Sequence, residues 1–142
     1  DGTGKMSKSV NQNATLYLSD DDDTIRKKVM KAKTDGGPTQ ENSIKPDYIE
    51  NIFLLLKLVS DEGFVKQQEE AYNNCSIRYG DLKKQLAEDM VKFISPIREK
   101  TREILNDEKY LEQVMKKGAE KARESAGKTM GIVRQAMGLN YF

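Results

Sequence analysis

Two lysines three residues apart, Lys5 and Lys8, stand in the stretch GTGKMSKS at residues 2–9, with hydroxyls at Ser7 and Ser9. In a turn or a partly helical loop both ammonium groups can swing to one side. Gly2 and Gly4 let the backbone hinge, and the serines add donors. Such an ensemble suits a polyphosphate that is gripped briefly and released. A fixed phosphate cradle would use a GxxxxGK[ST] run, which the sequence lacks. A mobile lysine loop is useful where negative charge moves onto a leaving group, because it can close more tightly on the transition state than on the ground state. The same composition fits a solvated charged loop, and residue types alone leave both readings open.

Two further groups of residues could do chemistry. Arg78, Lys83 and Lys84 flank Tyr79, which combines phosphate-seeking cations with a ring on which a base could stack. Further on, Lys116, Lys117, Lys121, Arg123, Lys128 and Arg134 bias the end of the chain towards positive charge. The alternative in each case is a core or capping tyrosine and a solvated lysine face. Four consecutive aspartates at residues 20–23 raise the question of a metal site. On a helix they point in different directions, and the expected reading is a helix start, where carboxylates meet free N–H groups and the positive end of the dipole.

Composition excludes several classes. The 142 residues contain one cysteine and no histidine. A Cys/His zinc site, a Ser-His-Asp triad and a histidine general base are therefore impossible within this chain. Net charge is +1 but unevenly spread: residues 1–62 carry 9 basic and 11 acidic side chains, residues 63–142 carry 15 and 12. The longest apolar run, residues 52–56, ends at Lys57 and falls far short of the ~20 residues of a membrane span. With no signal-like start either, the expectation is a cytosolic protein. Cys75 is expected to be a reduced, unreactive thiol.

The elements that must position these groups are mostly helical. Residues 15–18, TLYL, are short and β-prone and predict one strand, although no second strand is evident for it to join. Ser19 and the aspartates open a helix over TIRKKVMKAK, with Ile25, Val29 and Ala32 at helical spacing. Residues 34–46, TDGGPTQENSIKP, form a breaker. Pro46 then opens DYIENIFLLLKLVS, and Ser60 is expected to cap DEGFVKQQEEAYNN. From Tyr79, apolar residues Leu82, Leu86, Met90, Phe93 and Ile97 recur every three or four positions, with Pro96 expected to kink or restart the helix. Asp107 opens a last helix whose inner side should carry Leu111, Val114, Ala119, Ala122, Ala126, Met130, Val133 and Met137. The fold class is mainly α: an antiparallel helical bundle preceded by a lysine loop, one short strand and a helix.

KMSKS at residues 5–9 is similar to the second signature of class I aminoacyl-tRNA synthetases. The chain further resembles the C-terminal part of the bacterial-type tryptophanyl-tRNA synthetase family, in order along nearly its whole length. The segments that carry the likeness are NATLYL from Asn13, TIRKKV from Thr24, AKTD from Ala32, YGDLKKQLAE from Tyr79, PIRE from Pro96, GAEKAR from Gly118 and VRQAMGL from Val133. One departure is Val10, where relatives commonly carry Asp.

The resemblance implies that residues 1–34 end a Rossmann-like catalytic domain. Residues 35–46 would then be a linker, and residues 47–142 a helical, tRNA anticodon-binding domain. It implies an enzyme in which tryptophan's carboxylate attacks the α-phosphate of ATP, giving tryptophanyl-adenylate and pyrophosphate, before transfer to tRNA(Trp). Lys5 and Lys8 would be the catalytic lysines on the departing pyrophosphate. Lys5, Met6, Ser7, Lys8 and Ser9 would form the ATP loop, and Mg2+ would accompany ATP, with no metal ligand expected from this chain. Arg78, Tyr79, Lys83, Lys84, Lys117 and Lys121 would be candidates for tRNA contact, and a homodimer would form through a catalytic domain not contained here. The chain is then expected to be a fragment, inactive alone, with residues 15–18 the edge of a missing sheet. Alternatives are a fragment of the tyrosine enzyme, a helical RNA-binding module in which KMSKS is a relic, and a ligand-free interaction bundle.

Overall fold

The computed structural model describes residues 7, 9 and 11–139. Lys5, Met6 and Lys8 lie outside the described residues. A 3₁₀ turn, Gln12–Ala14, is followed by five helices: α1 (Asp22–Met30), α2 (Asp47–Val59), α3 (Glu62–Asn73), α4 (Tyr79–Leu105) and α5 (Glu108–Ala136). The mainly helical architecture agrees with the expectation.

Aspartates set three of the helix starts. Asp21 Oδ1 accepts the Thr24 N–H at 2.7 Å, Asp61 Oδ2 accepts that of Gly63 at 2.8 Å, and Asp107 Oδ1 accepts that of Tyr110 at 2.9 Å. Each satisfies an N–H that the helix itself cannot bond. The cap of α3 is therefore Asp61 rather than the expected Ser60, which closes α2 instead. A Cβ at Gly63 would lie 2.9 Å from the Asp61 carboxylate, so a larger residue there would have to displace the capping side chain. The helix α4 runs through Pro96 without restarting. Proline removes only its own N–H, and this position is exposed.

Residues 15–18 are not a strand. Thr15 has extended angles, but no strand occurs among the described residues, and residues 18–19 form a turn. An extended segment becomes a strand only beside another one, and here side chains take its backbone groups instead, as described below.

The chain divides into two compact units, Asp1–Arg98 and Glu99–Phe142. In the first, Ile25 and Val29 of α1 join Ile49, Ile52, Phe53 and Leu56 of α2, Val65 and Tyr72 of α3, and the Leu82, Leu86, Met90 and Ile94 face of α4 in one core. Phe53 and Tyr72 meet edge to face, with centroids 6.1 Å apart. Phe93 and Ile97, expected on this face, are exposed. Val91, Ile94 and Arg98 are buried instead, so the helical spacing was right and the phase was offset beyond Met90.

The second unit holds the end of α4 and α5. None of the α5 side chains is buried. Val114, Met130, Val133 and Met137, expected to face inward, are all exposed. Helical periodicity marks a face that can be covered, and it carries no information on what covers it.

Candidate functional site: the stem of the lysine loop and the basic helix faces

The described end of the lysine loop and the residues that follow it in sequence are held by polar contacts. Ser7 Oγ and Ser9 Oγ are 2.9 Å apart, and the Asn11 N–H donates to the Ser7 carbonyl at 3.2 Å. The Asn11 side chain caps the 3₁₀ turn by accepting from Asn13 N at 2.9 Å. Beyond it, the Lys28 ammonium on α1 donates to the Thr15 carbonyl at 2.8 Å and to Asp20 Oδ2 at 2.7 Å. Lys28 also lies 4.7 Å from the centre of the Tyr17 ring. The same Asp20 oxygen accepts the Tyr17 N–H at 2.9 Å. From α4, the Arg98 guanidinium donates to the Asp20 carbonyl, to Asp22 Oδ1 and to Ser95 Oγ.

The four aspartates thus have four separate tasks. Asp20 binds Lys28, Asp21 caps α1, Asp22 receives Arg98, and Asp23 pairs with Arg26 at 3.4 Å. Thr24's N–H, bonded to Asp21, holds that carboxyl below the usual carboxylate range. No group of three His, Cys, Asp or Glu side chains is arranged to hold a metal among the described residues. The capping role expected of the acidic run accounts for one of the four positions, and the other three serve ion pairs that helix periodicity does not disclose.

A second pairing joins α1 to α4. Arg26 meets Glu88 in a bidentate contact, Nε to Oε1 at 2.7 Å and Nη2 to Oε2 at 3.0 Å. The Arg26 hydrogen bond pulls the Glu88 carboxyl below its ordinary range. A groove of about 480 Å³ beside it is lined by Arg26, Met30, Phe64, Asp81, Lys84 and Glu88. With Arg26 already paired and Asp81 present, this groove is not a phosphate cradle.

Of the candidate tRNA-contacting residues, Arg78, Lys84, Lys117 and Lys121 are exposed. Tyr79 and Lys83 are not: each is only 9% exposed. The Lys83 ammonium donates to the Ala32 carbonyl at 3.2 Å and to Thr34 Oγ1 at 3.3 Å, fastening the end of the α1 segment to α4. The Tyr79 ring belongs to the core, so it offers no platform for a base. Its hydroxyl is buried and faces the Asp35 carboxylate, close enough to interact with it but outside ordinary hydrogen-bond geometry. Burial first, and then the nearby Asp35 charge, push its pKa well above the ordinary phenol value. The expectation of a stacking tyrosine and a phosphate-binding Lys83 is corrected accordingly: helical phase turns both side chains inward and leaves their neighbours outside.

Asp35 gathers the segment between α1 and α2 at this point. It accepts the Gly37 N–H at 2.8 Å and the Tyr48 hydroxyl at 3.0 Å. Burial opposes its charge, yet these donors hold its pKa below the ordinary carboxylate value. Gly37 has φ of +96°, a conformation that favours glycine. Among the residues that sequence reasoning missed, Arg98, Lys28 and Asp35 matter most. Their partners lie as far as 78 residues away, and no spacing signal could have announced them.

Residues 1–95 match the family described as tRNA synthetases class I (W and Y). The chain is 54% identical over 138 residues to a tryptophan–tRNA ligase of Porphyromonas gingivalis, covering 97% of this chain and 42% of that protein. It is 37% identical over 147 residues to a tryptophan–tRNA ligase of Streptococcus pneumoniae, covering all of this chain and again 42% of the relative. The chain therefore spans about two-fifths of the length of these relatives. Among solved structures, tryptophanyl-tRNA synthetase from Campylobacter jejuni superposes with a TM-score of 0.73 at 29% identity, over 96% of this chain and 43% of that one. A second structure of that protein, complexed with ADP and tryptophan, gives the same TM-score and identity.

Proposed function

The chain belongs to the tRNA synthetases class I (W and Y), and on that premise we propose that it is the C-terminal part of a tryptophan–tRNA ligase. The observation that carries this reading is the 54% identity to the P. gingivalis ligase across 97% of the chain. Identity at that level, over 138 residues, favours the tryptophan over the tyrosine enzyme.

In this reading the complete protein activates tryptophan with ATP and transfers it to tRNA(Trp) in the cytoplasm. The nucleophile is the substrate's own carboxylate, so the lack of histidine is no obstacle. Lys5 and Lys8 stabilise charge as pyrophosphate departs, while Met6, Ser7 and Ser9 anchor and orient the loop. Magnesium arrives with ATP as part of the substrate. Residues 1–34 end the catalytic domain, 35–46 link, and 47–142 form the tRNA-binding region. Arg78, Lys84, Lys117 and Lys121 are its candidate phosphate contacts, and the active protein is a homodimer joined outside these 142 residues.

The test is amino-acid-dependent ATP–pyrophosphate exchange by the full-length protein. Exchange with tryptophan and not with tyrosine is expected, followed by charging of tRNA(Trp). Exchange with neither amino acid, or with tyrosine alone, would overturn the reading.

A further inference from the structure

We propose that Arg98, on α4, is a positioning residue for the loop lysines, acting through the segment that joins the loop to α1; this rests on the function proposed above. The segment of residues 15–20 has no ladder to hold it among the described residues. Besides two turn hydrogen bonds, from the Thr15 N–H to the Gln12 carbonyl and from the Asp20 N–H to the Tyr17 carbonyl, three side chains hold its backbone: Lys28 at the Thr15 carbonyl, Asp20 at the Tyr17 N–H, and Arg98 at the Asp20 carbonyl. Lys28 is a local clamp from the next helix. Arg98 reaches the same stem from 78 residues further along the chain. It grips the Asp22 carboxylate as well, so one planar guanidinium spans the end of the stem and the first turn of α1.

The arrangement is costly to maintain, which argues for a role beyond filling space. Arg98 is 8% exposed, and its Nε is buried without a hydrogen bond. A buried cation with one N–H unmet is a poorer source of stability than an apolar side chain of similar volume. What the cation supplies is geometric. It sets the register of the stem against α4, and the stem is joined to Lys8 in sequence by residues 9–14, where the Gln12–Ala14 turn and the bond from the Asn11 N–H to the Ser7 carbonyl continue the ordered path. Lysines that act on a departing phosphate lose most of their effect when displaced by about 1 Å.

The experiment compares full-length wild type with Arg98→Gln, Arg98→Lys and Asp22→Asn. Kinetics of tryptophan-dependent ATP–pyrophosphate exchange, tryptophan affinity and thermal midpoint are measured for each. In Arg98→Gln, kcat/KM for ATP should fall roughly 10–100-fold while tryptophan affinity stays at the wild-type value, and Arg98→Lys should recover part of the loss. Asp22→Asn keeps the side chain's size at a position 44% exposed, so it carries the test should Arg98→Gln fail to fold. Unchanged exchange kinetics in the folded variants, or tryptophan affinity falling in step with exchange, would overturn the proposal. Absence of exchange in the wild type would be seen first, and would overturn the proposed function itself.

Discussion

The Lys45 ammonium lies 2.6 Å from the Glu69 carboxylate, and 4.7 and 4.9 Å from the ring centres of Phe53 and Tyr72. Lys57 reaches the other Glu69 oxygen at 2.9 Å. Lys45, at the end of the segment between α1 and α2, is thereby pinned to α2 and α3 just before Pro46 turns the chain into α2. Burial raises the Glu69 pKa, but the hydrogen bonds from the two lysines outweigh it and leave a folded value below the ordinary 4.5. A folded pKa below the unfolded one contributes stability above pH 4.5 that is lost as pH falls through the folded value. Glu69→Gln should lower stability at neutral pH by roughly 1–3 kcal/mol. It should also flatten the decline in stability on the acid side. Urea unfolding of both proteins across the acid range checks this, and parallel curves would contradict it.

Neighbouring positions at the start of α4 should separate folding from binding. Lys83→Met removes a buried donor from the Ala32 carbonyl and Thr34, and should cost roughly 1–3 kcal/mol. Lys84→Ala, at an exposed position, should change stability by less than about 0.5 kcal/mol. In the full-length protein it should weaken tRNA binding and reduce its salt dependence. Chemical denaturation and tRNA titration at two salt concentrations distinguish the pair.

Tyr79→Phe keeps the buried ring and deletes a hydroxyl that faces Asp35 without ordinary hydrogen-bond geometry. The thermal midpoint should stay level or rise, because the lost group carries a desolvation cost without a compensating bond. A clear fall would mean that the hydroxyl bonds Asp35 in solution.

Lys8→Ala in the full-length protein should slow tryptophan-dependent ATP–pyrophosphate exchange by about 10²–10³-fold, as expected for loss of one charge-stabilising donor. Tryptophan affinity should be unchanged. An unaltered exchange rate would remove Lys8 from the proposed mechanism.

The two units predict opposite sensitivities to substitution. Phe53→Ala empties a fully buried site and should cost about 3–5 kcal/mol. Met115→Gln and Ile132→Gln, at 73% and 70% exposure on α5, should each change the stability of the 142-residue chain by less than about 0.5 kcal/mol. Thermal unfolding of the three variants is sufficient.

Much of the fold was legible because its causes are local. Helix α1 begins where short acidic side chains can cap it, α2 begins after Pro46, and the 34–46 break carries the glycine that Gly37's positive φ favours. Periodicity identified Leu82, Leu86 and Met90 as core. It failed at Tyr79 and Lys83 for a reason specific to them. Both types serve equally well on a wet face or, when partnered, in a core, and composition does not distinguish the two.

By itself, the sequence determined the helical class, the positions of most breaks, the exclusion of histidine chemistry and the likeness to class I synthetases. Each of these depends on residues close together along the chain, or on residue types alone. The tertiary structure alone decided that the β-prone residues 15–18 would form a clamped stem and no strand, because a strand requires a partner that sequence cannot supply. It alone assigned the four aspartates to four partners and turned Lys83 onto the Ala32 carbonyl. It alone brought Arg98 to Asp20 and Asp22, since such contacts between distant residues exist only once packing has chosen which faces of the helices meet.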